Sequence, residues 1–576
     1  MKTHFRTHTC GELRSDNIGQ EVKLSGFVHR KRDLGNLFFI DLRDQYGLTQ
    51  LIVEKSKLTE KISHESVISI EGKVKERISK NKELATGNIE VEVKKLEILS
   101  HAKTLPFEIT SFSEEANEEL RLKYRYLELR RGKILQHLQF RHRVILEIRN
   151  LLSKQGFIEV QTPILGKSTP EGARDYLVPS RLYPGHFFAL PQSPQQFKQL
   201  LMMGNMDRYF QIPPCFRDED LRADRQPEFY QIDIEMSFGV PEDLFAILET
   251  FMKQLFKNIL NTDIKIPFKR LSFHECMEKY GCDKPDLRFG MELKRFESFA
   301  QKCDFSIFKQ ALEKSAVIKG LCAPGAAHLS RKNIEALEQL IKNLGLKGLS
   351  FFKVEDDKLH SSIAKFFTPD QHKAIIQHFS AKNGDLILLL ADKEKLVNMG
   401  LDQLRRHLAK ELDLISNTFA FLWVTDFPLF EWDEEEQRYF SMHHPFTAPN
   451  SEDLDDLPNA RSTGYDLVLN GYEIAGGSKR IHSLDLQYKI FELLGLKEEE
   501  IKYKFGHFIE ALSYGCPPHL GIAFGLDRLL MTMLNTDNIR DVIAFPKTTK
   551  AQDLMLQSPS QVSDAQLKEL HIKVDA

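Results

Sequence analysis

The side chains best suited to bind a nucleotide are concentrated in one short stretch between two phenylalanines. This stretch contains three arginines and five acidic residues, and β-type sequence on both sides predicts a hairpin with a long charged loop. An arginine on a strand beside a cleft can hold a phosphate through two hydrogen bonds, and a neighbouring phenylalanine offers its face to a purine ring. We therefore expect a nucleotide site, with a charged surface loop as the alternative, in the sequence Phe216-Arg-Asp-Glu-Asp-Leu-Arg-Ala-Asp-Arg-Gln-Pro-Glu-Phe229.

A second stretch, Gly521-Ile-Ala-Phe-Gly-Leu-Asp-Arg-Leu-Leu530, combines an apolar strand with the start of a helix. Its two glycines, four positions apart, allow a ligand to approach the backbone closely. Asp527 and Arg528 then begin the helix, and both the helix N-terminus and the arginine favour an anion. A buried strand–helix junction is the alternative interpretation.

Two carboxylates and an arginine form a third group within β-type sequence. Asp466 and Glu473 lie close together in the chain, and Arg480 follows the paired glycines Gly476 and Gly477. Polar side chains within a strand need partners, and carboxylates that face nucleotide phosphates usually hold Mg²⁺ through their oxygens. The group therefore predicts a magnesium site at Asp466 and Glu473.

Residues 1–105 predict a small barrel that precedes these three groups. Turn sequences separate five short β-type runs, and five strands in about 100 residues are typical of the oligonucleotide-binding (OB) barrel. An SH3-like barrel is the alternative. The runs are 22–28, 37–42, 48–53, 67–74 and 89–96.

A strongly basic stretch follows the barrel, in the segment 106–140 that we interpret as a hinge. Between Arg121 and Arg143 there are eight basic residues and one acidic residue, Glu128, so the net charge is +7. The stretch predicts either a hinge that lies on a phosphate backbone or the solvated face of a helix. A helix over 144–152 and a strand at 157–160 come next.

The rest of the chain reads as a long α/β region that is interrupted once. In the interruption, Lys-rich helical segments alternate with short strands, and strand-rich sequence resumes at Phe419. The expected boundaries are 141–284 for the first part of the main domain, 285–415 for an inserted α+β domain, 416–555 for the second part and 556–576 for a C-terminal extension.

Composition limits the class of protein. The chain has 576 residues, 42% hydrophobic and 28% charged, which is typical of globular proteins, and its net charge of −3 excludes a wholesale basic nucleic-acid binder. No apolar run approaches the ~20 residues that a transmembrane helix needs, and we expect no secretory signal and no membrane association. Seven scattered cysteines without a CxxC pair predict reduced thiols, no zinc and a cytoplasmic location.

In this order, the groups resemble the signature motifs of the class II aminoacyl-tRNA synthetases. The helix and strand that end at Pro163 match the first motif, the stretch from Phe216 to Phe229 the second, and that from Gly521 to Arg528 the third. Other segments are similar to the bacterial aspartyl-tRNA synthetases: Thr169-Pro-Glu-Gly-Ala-Arg-Asp175, Gln192-Ser-Pro-Gln195, His443-His-Pro-Phe-Thr447 and Arg540-Asp-Val-Ile-Ala-Phe-Pro-Lys547.

This resemblance covers nearly the whole chain and implies a multidomain α+β fold. The implied parts are an N-terminal OB-fold that binds the anticodon, a class II catalytic domain on a mixed, mainly antiparallel sheet flanked by helices, and a GAD-type inserted domain. The resemblance also implies a homodimer. In the implied reaction, ATP activates L-aspartate to aspartyl-adenylate and pyrophosphate, and aspartate is then transferred to the 3′ end of tRNA(Asp).

The resemblance assigns the nucleotide and metal contacts residue by residue. Arg217, Glu219 and Arg528 become the catalytic residues, and Mg²⁺ lies on Asp466 and Glu473. ATP binding is implied for Arg217, Asp218, Glu219, Gln226, Phe229, Glu473, Gly525, Leu526, Asp527 and Arg528.

The amino-acid pocket is implied in the same way. Arg480, with Lys198 beside it, would clamp the β-carboxylate of aspartate. Asparagine would be rejected because its amide cannot satisfy two cationic donors. The implied aspartate contacts are Glu171, Gln195, Lys198, Arg217, Asp233, His443 and Arg480.

Four barrel residues, Arg32, Leu34, Phe39 and Gln50, match anticodon-contacting positions. Phe38 and Phe39 alternate along a strand, so only one of them faces out. Relatives that also charge tRNA(Asn) often carry histidine where Leu34 stands, which favours an enzyme strict for tRNA(Asp). The alternatives are a form that also charges tRNA(Asn), asparaginyl or lysyl specificity, and a non-catalytic RNA-binding paralogue.

Overall fold

The computed structural model describes residues 2–58, 60–109, 116–168 and 173–575, which form two compact units. The first unit combines Met1–Phe140 with Ile543–Ser560, and the second combines Arg141–Val542 with Gln561–Ala576. The expected boundaries at 105, 284 and 415 are finer than this division and stay predictions. Within the described residues, no helix is long and apolar enough to cross a membrane.

The first unit is built around a closed five-stranded barrel. Its strands are β1 (Glu21–Leu34), β2 (Leu37–Asp44), β3 (Gly47–Glu54), β4 (Val67–Glu76) and β5 (Ile89–Ser100). They follow the order β1-β2-β3-β5-β4, with β3 and β5 parallel and the other neighbours antiparallel. Each predicted run forms one strand, and alternate side chains such as Val22, Leu24 and Val28 fill the interior. The OB prediction is confirmed.

Three helices follow the barrel, and most residues of the basic stretch lie in them. They are α1 (Glu118–Lys123), α2 (Arg125–Arg130) and α3 (Lys133–Lys154). Arg125 is 3% exposed and donates hydrogen bonds to the carbonyl oxygens of 543–544. The buried carboxylate of Glu128 lies 3.6 Å from Arg121 Nη1 and 3.3 Å from Arg131 Nη1. Arg130 and Arg141 are also paired, with Glu65 and Asp527, so at least six of the nine charges in this stretch are committed within the protein.

The second unit continues from α3 with a set of short strands and three helices. The strands are β6 (Ile158–Glu159), β7 (Leu177–Pro179), β8 (Phe187–Ala189), β9 (Arg208–Gln211), β10 (Pro214–Phe216), β11 (Glu228–Ser237) and β12 (Lys269–Ser272). The helices are α4 (Gln195–Met203), α5 (Pro241–Leu260) and α6 (Phe273–Tyr280). The predicted charged loop joins β10 to β11, which pair antiparallel.

The next segment forms its own five-stranded sheet with helices, as predicted for an α+β insertion. Its strands are β13 (Lys294–Arg295), β14 (Val317–Ala323), β15 (Ser350–Glu355), β16 (Lys358–His360) and β17 (Leu386–Asp392). Its helices are α7 (Glu297–Ala300), α8 (Ser306–Glu313), α9 (Arg331–Lys342), α10 (Pro369–Phe379) and α11 (Glu394–Glu411). The sheet order is β13-β14-β17-β15-β16, and apolar cores cover both faces of β17, whose first five residues are buried.

The remaining elements include the other strands of the main sheet and one separate two-stranded hairpin. The strands are β18 (Phe421–Thr425), β19 (Phe430–Asp433), β20 (Arg438–Ser441), β21 (Gly464–Leu469), β22 (Tyr472–Lys479) and β23 (His519–Gly525). The helices are α12 (Leu484–Leu493), α13 (Glu498–Ser513), α14 (Leu526–Met533) and α15 (Asp564–Glu569). The main sheet follows β12-β18-β21-β22-β23-β11-β9-β6, with β10 beside β11. Only the terminal pairs β12–β18 and β6–β9 are parallel among its described strands, which confirms the mixed, mainly antiparallel sheet.

Candidate active site

The second unit contains a cavity of about 440 Å³ whose wall carries residues from all three sequence groups. The predicted residues on this wall are Gln195, Lys198, Arg217, Glu219, Gln226, Phe229, Asp233, His443, Asp466, Glu473, Arg480, Gly525, Asp527 and Arg528. Asp218 and Leu526 do not line it. Glu171 lies outside the described residues.

One row of residues across the main sheet explains why distant sequence groups meet here. Asp466 on β21 is paired with Gly476 on β22. Ala523 on β23 is paired with Gly476 on one side and with Asp233 on the other. Residues in such a row point to the same face, so two carboxylates flank two small residues. A Cβ at Gly476 would lie 2.9 Å from Asp466 Oδ1, so glycine keeps the cavity floor open.

Four charged side chains, each at most 1% exposed, are paired at one end of the cavity. Lys198 Nζ lies 2.7 Å from Asp233 Oδ1 and 3.3 Å from Glu235 Oε2. Arg480 donates from Nε and Nη2 to the two oxygens of Glu235, at 2.8 and 3.0 Å. Burial alone would raise the pKa of Glu235, but Arg480 and Lys198 outweigh it and hold that pKa at about 2. The glutamate is therefore ionised and fixes both cations.

Glu235 is a site residue that sequence reasoning missed. It lies two positions after Asp233 on β11, so strand alternation puts both carboxylates on the same face, and this signal could have found it. Gly521 faces Glu235 across the sheet, and a Cβ there would lie 1.8 Å from Glu235 Oε2. The first glycine of the second sequence group therefore makes room for a buried carboxylate.

His444 and Ser478 were also missed, and both contact Arg480. Arg480 Nη1 lies 2.7 Å from Ser478 Oγ and also contacts His444 Nε2. Burial, reinforced by the charge of Arg480, lowers the pKa of His444 well below its usual value. The imidazole is therefore neutral, and its contact with Nη1, together with that of Ser478 Oγ, helps to hold the planar donors of the guanidinium in one orientation.

Two arginines at another part of the wall have donors that are not yet used. Arg217 Nε and Arg528 Nε are buried and have no hydrogen-bond partner among the described residues. Arg528 donates from Nη1 to Glu473 O at 2.6 Å and from Nη2 to Asp224 Oδ2 at 3.2 Å. The guanidinium of Arg217 lies 5.2 Å from the ring centroid of Phe229. Buried donors without partners are costly, so this part of the cavity is suited to an anion.

The carboxylates of Asp466 and Glu473 fit a hard divalent cation. Both lie close to the position of Gly476, where a Cβ would be 2.9 Å from Asp466 Oδ1 and 3.7 Å from Glu473 Oε1. Burial and then Glu473 raise the pKa of Asp466 to about 6, although His443, 3.3 Å away, opposes this. A cation between the two would relieve their repulsion, and two carboxylates are the usual protein share of a Mg²⁺ site that is completed by phosphates and water.

Three predicted nucleotide contacts have other roles in the local structure. Asp218 lies 3.5 Å from Arg174 and donates its backbone N–H to that residue's carbonyl oxygen. Leu526 is fully buried. Although Asp527 reaches the wall, its carboxylate accepts hydrogen bonds from Arg141 and from the backbone N–H of Tyr230.

Three of the four predicted barrel residues are neighbours in the first unit, namely Arg32, Phe39 and the buried Gln50. Phe39 is paired with Arg32 across β1 and β2, and Arg32 Nη2 donates to Gln50 Oε1 at 3.0 Å. Phe38 packs against the barrel core, so Phe39 is the phenylalanine that faces out. Leu34 is exposed at the end of β1.

Comparison with known proteins agrees with this geometry. A family model described as class II tRNA synthetases (D, K and N) matches residues 117–549, and one described as an OB-fold nucleic-acid-binding domain matches residues 22–99. The aspartate–tRNA(Asp/Asn) ligase of Protochlamydia amoebophila is 54% identical over 587 residues, covering 100% of this chain and 98% of that protein. The protein of the same name from Chlamydia caviae is 52% identical over 583 residues, covering 99% of each.

A solved structure supports the fold. A putative aspartyl-tRNA synthetase from Leishmania major matches with a TM-score of 0.60 at 19% identity, covering 95% of this chain and 94% of that one. The family model spans well over half of the sequence, and the relatives are similar along its whole length. The chain therefore belongs to the class II tRNA synthetases of the D, K and N family.

Proposed function

We propose that this chain is an aspartate–tRNA ligase that activates L-aspartate with ATP and transfers it to the 3′ end of tRNA(Asp). One observation carries the proposal: a single cavity combines the paired cations Lys198 and Arg480 with the unpartnered donors of Arg217 and Arg528. The first pair suits a small carboxylate, and the second suits a polyphosphate.

The number of N–H donors that remain free on Arg480 and Lys198 supports aspartate as the amino acid. Contacts to Glu235, Ser478 and His444 use four of the five N–H groups of Arg480. Lys198 donates one of its three ammonium hydrogens to Asp233, and Glu235 lies 3.3 Å from the same nitrogen as an ion pair. Each cation therefore keeps at least one donor for the two oxygens of a β-carboxylate. Asparagine would present an N–H₂ group to one of these donors, and this mismatch is costly in a buried site.

In the activation step, the α-carboxylate of aspartate attacks the α-phosphorus of ATP in line with the leaving pyrophosphate. No general base is needed because the carboxylate is already a nucleophile at pH 7. We assign Arg217 to the α-phosphate and the attacking carboxylate, where its fixed charge stabilises the transition state. Arg528 contacts the γ-phosphate and covers one side of the adenine, and Phe229 stacks on the other.

We assign Mg²⁺ to Asp466 and Glu473, where it would supply charge neutralisation for the phosphates. The remaining residues position the substrates. Glu219 and Gln226 contact ATP, while Gln195, Asp233 and His443 contact aspartate. Glu219 also lies 3.0 Å from Arg225, so the charged loop is braced beside the nucleotide.

The barrel would read the anticodon in the transfer step. Phe39 faces out and can stack on a base, and Arg32 and Gln50 lie beside it to read base edges. The names of the relatives favour tRNA(Asn) as a second substrate, whereas Leu34 favours strictness for tRNA(Asp). Side-by-side charging of the two purified tRNAs decides between these two forms.

We further propose a homodimer in the cytoplasm. Apolar side chains are exposed on α3 and around the edge strand β6, namely Leu146, Ile158, Ile164 and Leu165. Leu146 and Ile158 lie in the first signature motif, Ile164 and Leu165 directly follow it, and a second copy of the chain would bury the group. Light scattering that gives a 66.6 kDa species at working concentration would contradict the dimer.

The test of the activation step is ATP–pyrophosphate exchange with aspartate, asparagine and lysine supplied separately. We expect exchange with aspartate alone. Exchange with asparagine or lysine instead would overturn the substrate, and no exchange with any of them would favour a non-catalytic paralogue.

A further inference from the structure

The inserted domain contacts the hairpin that carries Asp466 and Glu473. The hairpin turns at Asn470-Gly471, where both residues have positive φ, 53° and 82°. Arg406 on α11 lies over this turn and donates from Nη1 to Gly471 O at 3.4 Å. A Cβ at Gly471 would lie 3.0 Å from Arg406 Nη1, so glycine is needed here for close approach as well as for its φ.

The guanidinium of Arg406 is also held by three other residues. Its Nε lies 2.8 and 2.9 Å from the two oxygens of Asp402, one turn earlier on α11. Its Nη2 lies 2.9 Å from Lys284 O and 3.5 Å from Cys282 Sγ. One side chain thus joins α11, the segment that enters the inserted domain, and the hairpin turn.

Arg405, the preceding residue, fixes the same segment from inside. It is fully buried and donates to the carbonyl oxygens of Asp286, Phe289 and Gly290 at 2.7, 2.9 and 3.0 Å. Its guanidinium also lies 4.9 Å from the ring centroid of Tyr280 on α6. Because these contacts anchor α11, the helix holds Arg406 in place against the turn.

We propose that Arg406 is a positioning residue through which the inserted domain fixes the spacing of Asp466 and Glu473, an inference that rests on the proposed role of these carboxylates in holding Mg²⁺. Glu473 lies two residues beyond Gly471 on β22. Asp466 lies on the partner strand, where a bulge interrupts the register between it and the turn. A restraint on the turn therefore acts on both carboxylates, and a Mg²⁺ site with only two protein ligands depends on their spacing.

The first test compares Arg406→Gln and Arg406→Lys with the wild-type chain in ATP–pyrophosphate exchange across a Mg²⁺ titration. We expect the Mg²⁺ concentration at half-maximal exchange to rise about tenfold for Arg406→Gln, the lower end of the range for supporting residues of metal sites. For Arg406→Lys this Mg²⁺ concentration should lie between those of the wild type and Arg406→Gln. KM for aspartate should not change in either variant. His407→Gln, at the next and exposed position of α11, is the matched control and should behave as wild type.

The second test uses hydrogen–deuterium exchange on the ligand-free proteins and needs no activity. In Arg406→Gln, the amides of 470–474 should exchange faster, while those of 232–236 in β11 should keep wild-type rates. If both the Mg²⁺ dependence and the exchange of 470–474 match the His407→Gln control, the proposal is overturned. Faster exchange throughout the second unit would also overturn it, because the arginine would then be merely structural. A wild-type chain without aspartate-dependent exchange would instead overturn the proposed function.

Discussion

The charged end of the cavity and the outer face of the barrel hold their ionic side chains in opposite ways. In the cavity, Lys198, Glu235 and Arg480 are at most 1% exposed and are paired with one another. On the barrel, the side chain of Arg32 is 52% exposed, and its Nη2 atom lies 3.4 Å from Asp41 Oδ1, where solvent can also reach it. Loss of one partner in a buried pair leaves a charge stranded, whereas an exposed pair is worth little. Substitutions within the paired charges of the cavity should therefore affect stability and binding together, and those on the barrel binding alone.

The largest effect should follow from Glu235→Gln. This change leaves Arg480 and Lys198 buried without their shared counter-ion, which should cost about 3–5 kcal/mol of unfolding free energy. Both tryptophans, Trp423 and Trp432, lie in the second unit, so denaturant titration followed by tryptophan fluorescence reports on that unit. Glu335→Gln, which breaks the exposed pair with Arg331, is the control and should cost less than about 1 kcal/mol.

The same variant tests the pKa of Glu235. Between pH values near 4.5 and 2, the unfolded chain binds the proton and the folded chain does not, so this carboxylate loses its stabilising contribution as the pH falls through that window. The stability of Glu235→Gln should therefore fall less steeply with acid than that of the wild type. If the unfolding free energies of the two proteins fell in parallel with pH, the two cations would not be lowering the pKa of Glu235.

Arg217→Ala should strongly impair catalysis but affect stability only mildly, because this arginine has an unused donor and, among the described residues, no ion-pair partner that its loss would strand. We expect aspartate-dependent exchange to fall by at least 10²–10³-fold, the usual loss when one transition-state donor is removed. Binding of tRNA should survive. Arg174→Ala, at the exposed partner of Asp218, is the matched control, and equal losses in the two variants would contradict the role of Arg217.

Sequence patterns located the sheet and the cavity wall well because both follow from local rules. Strand alternation and turn residues identify the five barrel strands, and glycines such as Gly476 and Gly521 mark where side chains must be absent. Strand alternation could have placed Glu235 beside Asp233. The partner that gives Glu235 and His444 their role, Arg480, is far away in the chain, and only the fold brings them to it.

The basic stretch after the barrel illustrates the same limit from the other direction. Its charge can be counted in the sequence, but whether that charge faces solvent cannot. Arg125 is buried against carbonyl oxygens, and Arg121 and Arg131 share Glu128. A count of charges in the sequence therefore overstates the positive charge that is available to a phosphate backbone.

A moderate effect, confined to tRNA, should follow from Phe39→Ala. Stacking of one base on an aromatic ring is worth about 1–3 kcal/mol, so kcat/KM for tRNA should fall about 5–150-fold. Pyrophosphate exchange and stability should not change, since Phe39 is on the outer face and Phe38 fills the core side. Tyr46→Ala, which removes another exposed barrel aromatic, is the control, and an equal loss there would contradict a specific stacking role.

The smallest effect should come from Lys123→Gln in the basic stretch. Lys123 is exposed, and its ammonium lies 5.8 Å from the centroid of Tyr124, so it remains able to turn toward a phosphate. Its loss should reduce the slope of log affinity against log salt by at most about one, because each phosphate contact contributes about that much. Arg125→Gln should leave the slope unchanged and lower the stability of the first unit instead, because its guanidinium binds carbonyl oxygens inside the protein. If Arg125→Gln changed the slope as much as Lys123→Gln, the buried and exposed charges would be equivalent toward tRNA, and the distinction between the two kinds of region would fail.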